Sequence, residues 1–313
     1  VLRIRNEFQK AKIVNFDSQN YATSENTKEL LNAIENYEYI NSDIRDREAV
    51  RSVFEDYKPD LIVNFAAESH VDNSIESSEI FIDTNIKGTY NILESARKLQ
   101  KNKSNFLVHH ISTDEVFGDL DLNGTSKFFE ETPYDPSSPY SASKAASDHL
   151  VRAWSRTYKL DYLITNCSNN FGPRQHPEKL IPKAIKLILG NKKVSIYGKG
   201  RNIRDWIFVG EHVDRLVELQ ASSITNDTFL IGGNNELTNI EIIQKLTSIL
   251  EPTKTWDLNE SIQFVEDRKG HDLRYAIDDS KLRKFLNHKK RESFLEQLKQ
   301  TVDWYQNNLS WWK

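Results

Sequence analysis

The chain has no methionine and a single cysteine, Cys167, among its 313 residues. A lone thiol cannot close an intrachain disulfide, so the fold has no covalent staple. With no suitable base near it in sequence, Cys167 reads as a small packing residue rather than a nucleophile. No apolar run approaches the roughly 20 residues of a membrane span and no signal-peptide pattern is present; the expected location is cytoplasmic. The 46 acids and 42 bases give a formal net charge of −4 and are interspersed throughout. That leaves no basic stripe for nucleic acid and no polybasic surface for a membrane. His109 and His110 are adjacent, so on a strand they point to opposite faces, and no Cys/His/carboxylate cluster accompanies them; no metal site is expected. Repeats and low-complexity linkers are missing too. Small-molecule chemistry on a globular chain of one large or two closely joined domains is what remains.

The first half alternates β-rich runs with helical patterns. Strands are expected at Lys12–Phe16, Glu38–Asn41, Asp60–Phe65 and Asn105–Ser112, and helices near Thr27–Glu35, Asp46–Tyr57 and Ser77–Leu99. Runs such as Leu61-Ile62-Val63 are continuously apolar, as in a parallel sheet covered on both faces, and predict a doubly wound (Rossmann-type) α/β fold. A helix at Ser141–Tyr158 and a strand at Tyr162–Asn166 follow, after which Pro173, Pro177 and Pro182 interrupt the winding. Strands at Val194–Ile196, Trp206–Val209, Thr228–Ile231 and Ile262–Val265, with helices at Glu211–Ser222, Thr238–Leu250 and Ser293–Asn307, suggest a smaller α/β lobe. Residues 1–168 with about 204–233 are expected to form the first domain, and 169–203 with 234–313 the second. The C-terminal aromatics Trp304, Tyr305, Trp311 and Trp312 read as helix packing.

Asp17 ends the first strand, where dinucleotide folds place an acid against the adenosine ribose. That acid stands roughly 20 residues beyond a glycine turn, so the turn and the strand before it are expected upstream of Val1. Residues 1–8 would then be the rest of the helix that caps the pyrophosphate, and the gene would encode about 20 more residues. Asp43-Ile44, after the second strand, match the spot that holds the adenine edge.

Tyr140 and Lys144 lie one helical turn apart on one face. An adjacent ammonium favours the phenolate and makes the phenol a better base near neutral pH. The strand Asn105–Ser112 runs into Ser112-Thr113-Asp114-Glu115, and ligands of doubly wound sheets sit at such carboxyl ends. These features belong to six strings: HISTDEVFGDL, PSSPYSASKAASDHLVRAW, TNCSNNFGP, PEKLIP, YGKGRNIRDW and DRKGHDLRYAID. Together they resemble the dTDP-glucose 4,6-dehydratase family of extended short-chain dehydrogenases over essentially the whole chain.

The resemblance implies an NAD-dependent hydro-lyase acting on dTDP-glucose. Thr113 and Tyr140 would contact the sugar 4-hydroxyl, Tyr140 taking its proton, while Lys144 holds the ribose and tunes Tyr140. Glu115 would remove the C5 proton and a protonated Asp114 would donate to the departing C6 hydroxyl, two opposite roles that two environments can separate. Cofactor contacts implied are Asp17, Ser18, Asn20, Asp43, Ile44, Phe65, Ala66, Ala67, Ser69, Thr84, Tyr140, Lys144 and Asn170. Ser69 and Thr113 would also meet substrate. Nucleotide diphosphate contacts implied are Asn169, Lys179, Leu180, Ser195, Ile196, Tyr197, Arg204, Asn239, Asp267, Arg268 and His271. Guanidinium groups such as those of Arg204 and Arg268 suit phosphate oxygens.

Phe117 replaces a frequent tyrosine, and Lys269 replaces the usual proline of its loop, departures that touch only local packing and rigidity. Other readings are a UDP-glucose 4,6-dehydratase, a sugar 4-epimerase of the same fold, and a degenerate non-catalytic nucleotide-sugar-binding protein. The Asp114-Glu115 pair argues against an epimerase, which eliminates no water. Preference for dTDP rests on the family-like Gly270-His271-Asp272 and Ser168-Asn169-Asn170, and deoxysugar (dTDP-rhamnose) synthesis is the implied pathway. A homodimer through Ser77–Leu99 and Ser141–Tyr158 is expected, because Leu150 and Trp154 are apolar positions on a helix whose other face holds Tyr140 and Lys144.

Overall fold

The structure is a computed structural model describing residues 1–103, 105–253, 255–286 and 292–312, the side chain of Trp312 excepted. Its first third runs α1 (Leu2–Glu7), β1 (Ile13–Asp17), α2 (Glu25–Asn32), β2 (Tyr37–Asn41), α3 (Arg47–Tyr57), β3 (Leu61–Asn64), α4 (Val71–Glu76), α5 (Glu79–Phe81), a π-helical stretch Ile82–Gly88 and α6 (Thr89–Leu99). Then come β4 (Leu107–Thr113), a 3-10 turn Asp114–Phe117, α7 (Pro139–Tyr158), β5 (Tyr162–Cys167), β6 (Asn169–Phe171), α8 (Leu180–Leu189), β7 (Val194–Tyr197), β8 (Ile203–Phe208) and α9 (Val209–Ala221). The last part holds β9 (Asp227–Ile231), β10 (Glu236–Thr238), α10 (Asn239–Leu250), α11 (Leu258–Ser261), β11 (Ile262–Val265), α12 (Ser280–Leu286), α13 (Phe294–Asn307) and a closing turn Leu309–Trp312.

Two compact units emerge: Val1–Gly118 with Glu130–Asn166 and Asp214–Leu230, and Asp119–Phe129 with Cys167–Val213 and Ile231–Lys313. The boundaries differ from the expected ones because residues 119–129 and 204–213 join the second unit. Leu120 N donates to Arg274 O (3.1 Å) and Phe128 N to Ala276 O (2.8 Å), tying the first of these segments down. β8 begins the other and is hydrogen-bonded between β6 and β10.

The first unit is a Rossmann-type α/β arrangement. β1 and β2 pair in parallel from Ile13↔Tyr37 to Asp17↔Asn41. A separate four-stranded sheet has the order β3-β4-β5-β9, and β3 and β4 are parallel from Leu61↔Leu107 to Asn64↔His110. Its core joins Val50 and Phe54 of α3, Ile92, Leu93 and Ala96 of α6, Val108 of β4, Val151 of α7 and Ile164 of β5. β4 and β5 are buried along most of their length, and each such large aliphatic side chain contributes about 1.5–3 kcal/mol of burial. By contrast, no residue before Ile44 is buried.

Helix ends follow local chemistry. Asp46 caps α3 by accepting from Glu48 N and Ala49 N, and Ser138 with Ser141 forms a capping box on α7, where Pro139 occupies the first turn. The expected single helix Ser77–Leu99 is instead interrupted by the π-helical stretch. There the Asn85 amide accepts from Glu68 N (2.9 Å) and donates to Glu68 O (3.0 Å). The wider winding thus spends helical regularity on a side chain that fixes the loop after β3, a common use of π turns. Gly88 closes the stretch where an added Cβ would lie 2.4 Å from Ile44 Cδ1, so α6 packs there without a side chain.

In the second unit β6 and β8 are parallel, β8 and β10 antiparallel, and β7 and β11 parallel. α8, which the prolines obscured in the sequence, tolerates Pro182 because it lies in the first turn, where the missing N–H is no loss. Isoleucines 181, 185, 242 and 243 with Leu246, Leu298 and Val302 build the core. Trp304, Tyr305 and Trp311 do pack, and the Tyr305 hydroxyl (2.8 Å) and Trp311 Nε1 (3.0 Å) both donate to Gln175 O.

Candidate active site

In the first unit the strand ends collect the side chains singled out by sequence. β4 delivers Thr113, whose hydroxyl caps the following 3-10 turn by accepting from Glu115 N (3.3 Å) and approaches Asp114 Oδ1 (3.3 Å). Thr113 is 8% and Asp114 1% exposed, while Glu115 is half-buried. α7 packs on β4 and on this turn. It brings Tyr140, buried edge-on against Phe81 at 6.3 Å, and Lys144, whose Nζ donates to Ile111 O (2.8 Å). Lys144 is therefore anchored beside the strand that carries Thr113. Asn85 reaches the same helix, its Nδ2 donating to Ser143 Oγ (2.8 Å), and Ser147 Oγ donates to Asn85 O (2.9 Å).

Most of the other expected cofactor residues of this unit follow the carboxyl ends of strands. Asp17 is exposed, with Oδ1 accepting from Gln19 N (3.0 Å). Ser18 and Asn20 are exposed beside it, Asn20 Oδ1 accepting from Ala22 N (3.0 Å). Asp43 pairs with Arg45 at 2.8 Å, which outweighs partial burial and holds its carboxyl below the usual range, while Ile44 is buried. After β3, Phe65 and Ser69 are exposed and Ala66 and Ala67 half-buried. The chain turns there because Asn64 Oδ1 accepts from Ala66 N (3.2 Å). Thr84 lies on the π-helical stretch.

The second unit holds the remaining expected contacts, including Asn170, which sequence reasoning assigned to the cofactor. Asn170 Nδ2 donates to Ser168 O (3.1 Å), and Oδ1 lies 2.8 Å from Nδ1 of the buried His212. Asn169 Oδ1 is buried with no hydrogen-bond partner among the described residues. Lys179 stands just before α8 without a side-chain capping bond, with Leu180 the first helical residue, and Asn239 opens α10 behind the Thr238–Glu241 capping box. On β7, Ser195 and Tyr197 are exposed and Ile196 enters the core, so the Ile196 side chain faces away from any ligand on the exposed side. The parallel pairing of β7 with β11 sets Tyr197 opposite Val265. A compact group follows: Arg268 lies over the Tyr197 ring (5.2 Å) and His271 meets its edge (6.3 Å). Asp267 Oδ1 accepts from Arg268 N (2.8 Å) and lies 2.6 Å from His271 Nδ1. Burial, with Arg204 and Arg268 adding to it, lowers the His271 pKa against the opposing pull of Asp267. Burial raises the Asp267 carboxyl, but hydrogen bonds from His271 and Arg268 bring it below the usual range. Arg204 is buried over Tyr275 (4.1 Å) and donates to Asp272 O (2.9 Å).

Cationic, aromatic and amide groups of this kind suit a nucleotide diphosphate, and a buried acid, a phenol and an ammonium suit proton transfer. Residues 3–301 match the family model described as GDP-mannose 4,6 dehydratase. A dTDP-glucose 4,6-dehydratase of Neisseria meningitidis serogroup B is 46% identical over 315 residues, covering 96% of this chain and 88% of that protein. The chain belongs to the dTDP-glucose 4,6-dehydratase family. An Escherichia coli member is 43% identical over 96% of the chain and 88% of that protein. The dTDP-glucose 4,6-dehydratase of Streptomyces venezuelae, solved with NAD and dTDP bound, superposes with a TM-score of 0.90 at 38% identity, covering 100% of this chain and 93% of that one.

Sequence reasoning missed Asp148, Asn166 and Tyr134: Asn166 Nδ2 donates both to Thr113 O (3.0 Å) and to Asp148 Oδ2 (3.1 Å), and the Tyr134 hydroxyl donates to the same Asp148 oxygen (2.8 Å). For Asp148 a signal existed: it continues the spacing of Tyr140 and Lys144 by one further turn.

Proposed function

We propose that the chain dehydrates dTDP-glucose to dTDP-4-keto-6-deoxyglucose. The observation that carries this reading is the Asp114–Glu115 turn directly after β4, on which the helix bearing Tyr140 and Lys144 packs. NAD fits the first unit, because Asp17, Asp43 and the half-open Ala66–Ala67 turn stand at carboxyl ends of strands where such a ligand lies. Bound NAD supplies the hydride acceptor at C4 and the donor at C6.

The chain's own residues move the protons. Tyr140 takes the proton of the 4-hydroxyl, aided by the neighbouring Lys144 ammonium and by the Thr113 hydroxyl. The resulting ketone acidifies C5, whose proton Glu115 removes as the less buried carboxylate and returns to C5 after water has left. Asp114, at 1% exposure, is the member of the pair that burial favours in the protonated form, and it protonates the C6 hydroxyl as water leaves. Ser69 is placed with the sugar. Asn169, Lys179, Leu180, Ser195, Ile196, Tyr197, Arg204, Asn239, Asp267, Arg268 and His271 hold the nucleotide end, with Arg268 as a phosphate partner.

Mass spectrometry, with chromatographic separation of epimers, after incubation of the full-length enzyme with dTDP-, UDP- and CDP-glucose tests this reading. Loss of one water from the dTDP sugar first and fastest is expected. A faster UDP reaction would redirect the nucleotide assignment, and interconversion of epimers without water loss would overturn the dehydratase reading.

The homodimer we propose for the chain would use α6 and α7, where Leu150, Tyr90 and Trp154 are half-buried and Tyr158 is exposed. Tyr90 and Tyr158 both meet the Trp154 ring edge-on, at 5.9 and 5.7 Å. A strictly monomeric mass by light scattering at micromolar concentration removes it. A cytoplasmic setting accords with the single cysteine, and no described helix is long and apolar enough to cross a membrane.

A further inference from the structure

Asp148 is fully buried on α7, one turn beyond Lys144 and two beyond Tyr140. Residues at these spacings share one helix face. Its Oδ2 accepts from Ser112 Oγ (3.0 Å), Tyr134 OH (2.8 Å) and Asn166 Nδ2 (3.1 Å). Oδ1 lies 3.4 Å from His110 Nε2. The same Asn166 Nδ2 donates to Thr113 O (3.0 Å). The reverse amide orientation would set its oxygen against two acceptors, so the assignment is chemically determined. Three donors on one oxygen are the signature of an ionised carboxylate.

Burial works against that charge, but His110 Nε2 beside it, the Lys144 ammonium and the Tyr134 hydroxyl bring the carboxyl below its ordinary range. His110 is itself driven toward neutrality by burial and by Lys144. The groups facing Asp148 are thus His110 and Ser112 of β4, Asn166 of β5, Tyr134 of the preceding loop, and Lys144 on its own helix. Arg152 backs Tyr134, its Nη2 donating to the phenol at 2.8 Å. If Lys144 favours the Asp148 anion, the anion equally favours the Lys144 ammonium.

We propose that Asp148 is a positioning residue for the dehydration: it locks the Ser112–Thr113 end of β4 to the Tyr140–Lys144 face of α7 and supplies the buried negative charge that holds the Lys144 ammonium. This rests on the catalytic reading of Thr113, Tyr140 and Lys144. A carboxylate is needed because it alone offers an acceptor oxygen to three donors while carrying charge. Asparagine preserves size and one acceptor oxygen but removes the charge.

The test compares full-length wild-type enzyme with Asp148→Asn and Tyr134→Phe, reading kcat, KM for dTDP-glucose and the pH profile of kcat/KM. For Asp148→Asn, kcat is expected to fall about tenfold to a hundredfold, the scale of a small misplacement of reacting groups. KM should stay near the wild-type value, since the nucleotide contacts are untouched. The alkaline limb of kcat/KM should move to lower pH by about one unit, as Lys144 loses its counter-charge. Tyr134→Phe keeps the charge, so its alkaline limb should stay in place while kcat drops more modestly. A uniform loss in Asp148→Asn with an unmoved pH profile would overturn the proposal, as would wild-type kinetics. Failure of the wild-type enzyme to dehydrate dTDP-glucose would instead sink the underlying functional reading. Should Asp148→Asn not fold, the double variant of Ser112→Ala with Tyr134→Phe decides the positioning role: unchanged kcat overturns it, and lowered kcat at constant KM supports it.

Discussion

In the first unit Thr113, Asp114, Tyr140 and Lys144 are all buried, whereas in the second Ser195, Tyr197 and Asp267 are exposed and Lys179, Asn239 and Arg268 half-buried. The contrast fits the roles proposed for the two groups. Proton transfer depends on fixed geometry and on environments that push like groups apart, and both come from burial among satisfied partners. Gripping a flexible, highly charged ligand needs reach and accessible donors, and the penalty for burying unpaired charge keeps such donors near solvent. Arg204 departs from the pattern, and it is buried only because the carbonyls of Ile203 and Asp272 receive its guanidinium.

Kinetics of variants in the two units would break or sharpen this contrast. The largest effect is expected for Glu115→Gln, which cannot take the C5 proton. Losing a positioned general base costs about 10²–10⁴-fold, so single-turnover mixing should show reduced cofactor absorbance that appears and persists with little product. Tyr140→Phe should suppress even that first signal, and product formation by Glu115→Gln at the wild-type rate would reassign the base. Arg268→Ala, in the second unit, should raise KM for the nucleotide sugar with kcat little changed. Loss of a charge-assisted hydrogen bond of about 1.5–3 kcal/mol corresponds to roughly tenfold to a hundredfold; a loss confined to kcat would place Arg268 among the chemical groups instead.

A third test concerns the buried histidine of the second unit. Burial depresses the His212 pKa to about 4 from an ordinary 6.5. Between these values the unfolded chain binds the proton more readily, so stability is full above about pH 6.5 and falls as pH drops toward 4, by at most about 3 kcal/mol. Urea unfolding at pH 7.5 and 5 should show this loss in the wild type and a smaller one in His212→Gln; equal slopes would contradict it. The smallest effect is expected from Gly198→Ala. Gly198 has φ +55°, and an added Cβ would lie 2.3 Å from Asp267 Oδ2, so the substitution costs roughly 1–2 kcal/mol of backbone strain and displaces Asp267 from His271. A few-fold rise in KM at constant kcat is the expected reading, and an unchanged KM would remove Asp267 and His271 from the ligand's surroundings.

Local chemistry made much of the molecule legible from its residues alone. The alternation of β-rich runs with helical periodicity marked β1 to β5 and α7. The Tyr140–Lys144 spacing and the Thr113-Asp114-Glu115 run pointed to the group proposed as catalytic, since one helical turn and one strand end each place neighbours together. Tertiary structure alone decided the rest. It moved residues 119–129 and β8 into the second unit, because hydrogen bonds to partners far along the chain outweigh the order of elements in sequence. It rewound Ile82–Gly88 so that Asn85 could satisfy Glu68. It turned Ile196 inward between exposed Ser195 and Tyr197, by the twofold alternation of a strand whose core face only packing defines. Above all, it gathered Ser112, Tyr134, Asn166 and His110 around Asp148. Those partners come from two strands and a loop, and a buried charge can be read only once every group that satisfies it has been brought within hydrogen-bonding distance.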